Sequence, residues 1–173
     1  MTRWMVFIGY CLFNAIAFAQ TGAEATAAAA TEKIGVYDSR AIAVAYGGSR
    51  YQRTRMLAIK EQMRQARAAG NRPEAARIEA DAAAWQATLH RQAFEAAPVG
   101  DILGNIAAEQ EKTRQSAGVS VLVSKWNREE LARHPQAERV DVTMALVDAF
   151  HPNPRQLRHA VEIQAKDPPG WVK

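Results

Sequence analysis

Between Arg50 and Arg77 the chain carries eight basic side chains, Arg50, Arg53, Arg55, Lys60, Arg64, Arg67, Arg72 and Arg77, against Glu61 and Glu74, a local balance of +6. Guanidinium and ammonium groups at this density attract carboxylates and phosphates, so the chemistry on offer is noncovalent capture of acidic polypeptide segments or anionic lipid head groups. Arg53, Lys60, Arg64, Arg67, Arg72 and Arg77 are the candidate binding residues. Other reactive side chains are too scattered for a reaction centre. His90, His134, His151 and His159 have no partner at zinc-ligand spacing, and Asp38 and Asp141 are accounted for as helix caps. No phosphate-binding glycine loop, G-x-S-x-G elbow or H-E-x-x-H occurs in the sequence. The expectation is a protein that is not an enzyme, with no catalytic residue, no metal and no cofactor.

The basic residues must be carried by helices. In "YQRTRMLAIKEQMRQARAAG" Met56, Ile59, Met63 and Ala66 recur at steps of three and four, which is coiled-coil spacing. "PEAARIEADAAAWQATLHRQAFEAA" repeats the seam with Ala75, Ile78, Ala82, Trp85 and Leu89. Between them Gly70 supplies a helix stop and Pro73 a first-turn residue, so the segment 50–97 reads as an antiparallel helical hairpin, a projecting arm. Lys60, Arg64 and Arg67 each follow a seam residue and flank it. Pro98 predicts a break, after which Val99, Ile102 and Ile106 share one helix face that Gly118 ends.

The arm needs a body. In "KIGVYDSRAIAVAY" Ile34 and Val36 alternate as in a strand, and Asp38-Ser39 caps a short helix. Some eighty residues later Val119, Val121 and Val123 alternate again, and "ERVDV", residues 138–142, offers a third strand. Strands this few are unstable alone, so the first is expected to pair with the second in a small sheet that joins the domain's ends. Asp141 or Thr143 would cap "MALVDAF", and Asn153 with Pro154 would start the last helix, ahead of a loose tail at "DPPGWVK". The fold class is therefore α+β, mainly helical, a small strand-built body with a projecting coiled-coil-like arm.

"MTRWMVFIGYCLFNAIAFA", residues 1–19, has a basic start, a short apolar run and Ala17-Phe18-Ala19, the pattern of a secretory signal cleaved near Ala19-Gln20. The run is too short to span a bilayer. Cys11, the only cysteine, would leave with it, and an exported chain without disulfides depends on packing or association. Without Arg3 the basic count falls from 22 to 21 against 18 acidic, a net charge near +3. Export and the lack of a binding motif argue against nucleic acid. Residues 20–32 read as a flexible linker, 33–150 as one domain and 151–173 as a C-terminal helix and tail.

The motif order at the two ends of the domain, "KIGVYDSRAIAVAY" and then "SAGVSVLVSKWN" with "ERVDVTMALVDAF", resembles the OmpH/Skp family of periplasmic chaperones. The resemblance covers 33–49 and 117–150 by motif and the arm by pattern. It implies a periplasmic homotrimer whose strands, with Ile34, Val36, Val119, Val121 and Val123, form the body and whose paired helices hold unfolded outer-membrane proteins without ATP. The segment 50–97 is shorter than the family's usual arm, and Ser124-Lys125-Trp126 stands where the family has an acidic residue. A non-chaperone adaptor of the envelope on the same scaffold is the alternative expectation.

Overall fold

The computed structural model describes residues 31–170; the expected signal segment 1–19, most of the expected linker and Trp171–Lys173 lie outside the described residues. The fold is α+β and mainly helical, with one small sheet. Strand β1 (Lys33–Tyr37) is central, flanked by β2 (Leu122–Ser124) and β3 (Glu138–Asp141) in the order β2-β1-β3. Both neighbours run parallel to β1, with Val36 opposite Val123 on one side and opposite Asp141 on the other. The expected pairing of the first and second strands is present, but β2 begins three residues after Val119 and ends one residue after Val123. The turn at Gly118, with φ of 63°, delivers the chain to the sheet late. Ser120 nonetheless donates its backbone N–H to the Lys33 carbonyl at 2.8 Å, so the ladder begins before the regular strand.

Gly35 makes the sheet's close packing possible. A Cβ there would stand 2.7 Å from Leu122 Cδ2, 3.1 Å from Val119 and 3.2 Å from Val142, three walls of one apolar pocket. Gly35→Ala is expected to destabilise the protein by about 1–3 kcal/mol through overpacking, measured by urea unfolding. An unchanged urea midpoint would show that these walls yield freely.

Helix α1 (Ser39–Tyr46) follows β1 directly and is the axis of the core. Its Ala41, Ile42, Ala43, Ala45 and Tyr46 are all buried, and the alanines let neighbouring helices approach closely. Around it pack α3 (Arg72–Phe94), α4 (Gly100–Leu103), α7 (Thr143–Asp148) and α8 (Pro154–Gln164). Phe150 lies edge-on to Tyr46 at 6.1 Å and to Tyr51 at 6.2 Å between ring centres. These are favourable edge-to-face contacts. Val99, Ile102 and Ile106 are buried as expected, although a single 3₁₀ turn at Gly104–Ile106 separates α4 from α5 (Ala107–Ser116).

α2 (Arg50–Ala68) and α3 carry the seam. Met56, Ile59, Met63 and Ala66 on α2, and Ala75, Ile78, Ala82, Trp85 and Leu89 on α3, are all buried or half-buried. Most of their neighbours in sequence are exposed. Gly70 turns the chain in a left-handed conformation with φ of 63°, and the Asn71 side chain caps α3 by accepting from the Glu74 N–H at 3.2 Å. Phe94 is 49% exposed, beyond the seam. The helix then stops before Pro98, with Ala96 at φ of 59°.

The C-terminal segment forms the expected helix. α8 starts with the expected Asn153 cap and Pro154, reinforced by Gln156 reaching back to the Asn153 N–H at 2.8 Å. α8 packs on α1, with Ala160 fully buried, and Pro168 in the expected loose tail is buried as well. At the other end of the domain Glu32, expected in the flexible linker, accepts from the Ser120 hydroxyl at 2.9 Å and contacts His134 at 3.1 Å. For α7 the N-cap position falls on Val142 and not on Asp141 or Thr143, and it has no side-chain cap bond; Asp141, one residue earlier, accepts from the Thr143 N–H at 2.8 Å.

Candidate functional sites

The six candidate binding residues are all exposed, and they divide into two groups. Arg64 is held by Glu61 at 2.6 Å, and Arg77 by Glu74 at 2.6 Å and Asp81 at 2.7 Å. The hydrogen bonds from Arg64 and then Gln65 pull the Glu61 carboxyl down to about 2. These two cations therefore already have carboxylate partners, in exposed pairs of three- and four-residue spacing that add only a few tenths of a kcal/mol each. The side chains of Arg53, Lys60, Arg67 and Arg72 make no hydrogen bond or ion pair with any described residue. Three of them, Arg53, Lys60 and Arg67, recur every seven residues and so lie along one line of α2. Leu57, 60% exposed, stands between the first two. The outer face of α2 is thus a row of free cations around a bare apolar side chain. Arg55 is placed differently, its guanidinium 4.5 Å from the centre of the Trp85 ring, where it covers the seam.

The strand residues are used largely within the chain. Ile34, Val119 and Val123 are buried, while Val36 and Val121 are half-buried. Among the described residues no strand pairs with the outer edges of β2 and β3.

A second constellation was not anticipated as a unit. Asp38, at the carboxyl end of β1, is fully buried. Its backbone N–H donates to Thr143 Oγ1 at 3.0 Å, and its Oδ1 caps α1 by accepting from the Arg40 N–H at 3.0 Å. The same carboxylate takes the Arg40 guanidinium at 3.0 Å, the Lys125 ammonium at 2.8 Å and the Trp126 indole N–H at 2.8 Å. Arg40, 1% exposed, also lies 4.6 Å from the Trp126 ring centre and donates to the carbonyls of Ile163 at 3.0 Å and Lys166 at 2.5 Å. One buried ion pair therefore ties together the central strand, α1, the segment after β2 and the end of α8. Burial works to raise the Asp38 pKa, but the hydrogen bonds from Arg40, Lys125 and Trp126 outweigh it and hold it below the ordinary value. The parts were visible separately: Asp38 reads as a cap, and Lys125-Trp126 as a departure from a family pattern. What sequence reasoning lacked was the parallel pairing that sets both at neighbouring strand ends. Among known proteins the chain matches no family model, no curated protein and no solved structure, so its likeness to the OmpH/Skp family rests on the motifs quoted from the sequence.

Proposed function

We propose that this protein is an exported, ATP-independent holdase that binds unfolded outer-membrane or periplasmic proteins. In this reading α2 and α3 form an antiparallel hairpin arm, and the free sheet edges take part in a homotrimeric body. The observation that carries the proposal is the outer face of α2, where Arg53, Lys60 and Arg67 are free of ion pairs and flank exposed Leu57. A flexible chain with mixed acidic and apolar segments can satisfy such a face in many registers, each contact weak and quickly exchanged. This is what holding without folding requires, because aggregation-prone surface is covered but not trapped. The same charges would also meet anionic lipid at a membrane surface.

The test is light scattering on a size-exclusion column, with the protein alone and then mixed with a urea-unfolded outer-membrane barrel diluted into buffer. A defined oligomer that keeps the barrel soluble supports the reading, and precipitation of the barrel in its presence overturns it. The triple variant Arg53→Glu, Lys60→Glu and Arg67→Glu is expected to weaken capture about tenfold, since each reversal replaces a weak attraction with a weak repulsion. It should leave the oligomer's mass unchanged. Wild-type capture should also weaken with added salt, because exposed charges are screened over about 8 Å at physiological ionic strength. If the triple variant captures the barrel as the wild type does, the α2 face is not the binding surface.

A further inference from the structure

Parallel strands leave a crevice beyond their carboxyl ends, and in sheets of this direction ligands settle there. A cavity of about 540 Å³ lies at the ends of β1 and β2, within the size range of small-molecule sites. Its lining includes Tyr37 and Trp126, and the connection between α3 and α4 through Ala96, Pro98 and Gly100. Both parts of this lining are held by buried side chains. Trp126 is fixed through its indole N–H to buried Asp38 at 2.8 Å. The connection is pinned by Gln92, 1% exposed, which donates to the Pro98 carbonyl at 2.9 Å and the Asp101 carboxylate at 2.7 Å. Ala96 is kept in a left-handed conformation that costs a non-glycine residue on the order of 1 kcal/mol and persists only where surroundings impose it.

Two polar side chains that line the cavity, Tyr37 and Asn127, have donors to offer. No described residue hydrogen-bonds the Tyr37 hydroxyl, and burial holds that phenol above its ordinary pKa, so it stays protonated. Asn127 uses its oxygen to cap α6 (Arg128–Ala132), accepting from the Glu130 N–H at 3.1 Å, which leaves its amide N–H groups to donate. Glu130 is engaged by Arg133 at 2.9 Å. Two aromatic side chains and two donor groups among the lining residues define the complementary ligand. We propose that this cavity binds a small aromatic molecule carrying an acceptor oxygen, a carboxylate or a carbonyl. The inference goes beyond the holdase reading and stands whether or not α2 captures polypeptides.

The test is a two-dimensional amide NMR titration of the purified protein with 4-hydroxybenzoate, and with cyclohexanecarboxylate as the non-aromatic counterpart. Shifts are expected at the ends of β1 and β2 and along Ala96–Gly100, with the aromatic acid binding about tenfold more tightly than its saturated counterpart. Gly100→Leu is the blocking variant, because Gly100 lines the cavity and a Cβ there meets nothing within 4 Å, so the added bulk is accommodated. It should weaken binding at least about tenfold at unchanged thermal stability, and Tyr37→Phe should weaken it several-fold. Three outcomes would overturn the proposal: no shifts at about 10 mM ligand, affinity untouched by both variants, or binding seen only with an aromatic peptide.

Discussion

Replacing Arg40 with alanine is expected to cost roughly 3–5 kcal/mol of stability, read as a lowered urea midpoint, because it strands a carboxylate in the protein's interior. Asp38 is fully buried, and without Arg40 it keeps only Lys125 and Trp126 as side-chain donors. The carbonyls of Ile163 and Lys166 also lose their shared donor, so α8 loosens with the strand. The double variant Asp38→Asn with Arg40→Met should recover part of the loss, since asparagine still caps α1 and no buried charge remains. If the two changes simply add, the pair is not coupled and the account of the cluster fails. Acid offers an independent check. The folded-state pKa of Asp38 lies below its unfolded value of about 4, so its contribution is complete above that value and is lost as pH falls through the lower, folded one. The wild type should therefore lose stability on acidification below about pH 4, and Arg40→Ala, with less of that contribution left, should lose less.

This cluster also marks where sequence reading ran short. The existence of β1, β2 and β3, though not the start of β2, and the apolar seam of α2 and α3 were legible, because period two and period three-four are written directly into side-chain order. Strand direction was not, since alternation is the same whichever way a strand runs. Arg40 follows a helix cap, where an arginine usually points to solvent, and only the return of α8 over α1 buries it. The seam residues needed no such distant information. The basic stripe was legible as a count but not as a surface. Glu61 with Arg64, Glu74 with Arg77 and Arg77 with Asp81 stand three or four residues apart, so their pairing was written in the sequence. Adding up charges concealed it, and with it the distinction between tied cations and the free row at Arg53, Lys60 and Arg67.

Trp85→Ala is expected to cost about 3–5 kcal/mol as well, but to distribute the damage differently. Trp85 is 7% exposed, lies under the Arg55 guanidinium, and belongs both to the seam and to the core around α1. It therefore joins the packing of α2 on α3 to the packing of α3 on the body, and its loss leaves a void that Ile59, Ile78 and Ala82, which line the same groove, are too small to fill. Hydrogen exchange should show amides of α2 and of the first half of α3 opening well before those of β1 and α1. Arg40→Ala should produce the reverse order, with α8 and the sheet released first. Trp85→Phe should restore most of the stability by refilling the groove. Equal loss of protection in both halves would mean that the seam and the core unfold as one unit, and that no part of the α2–α3 pair can move independently of the body that carries it.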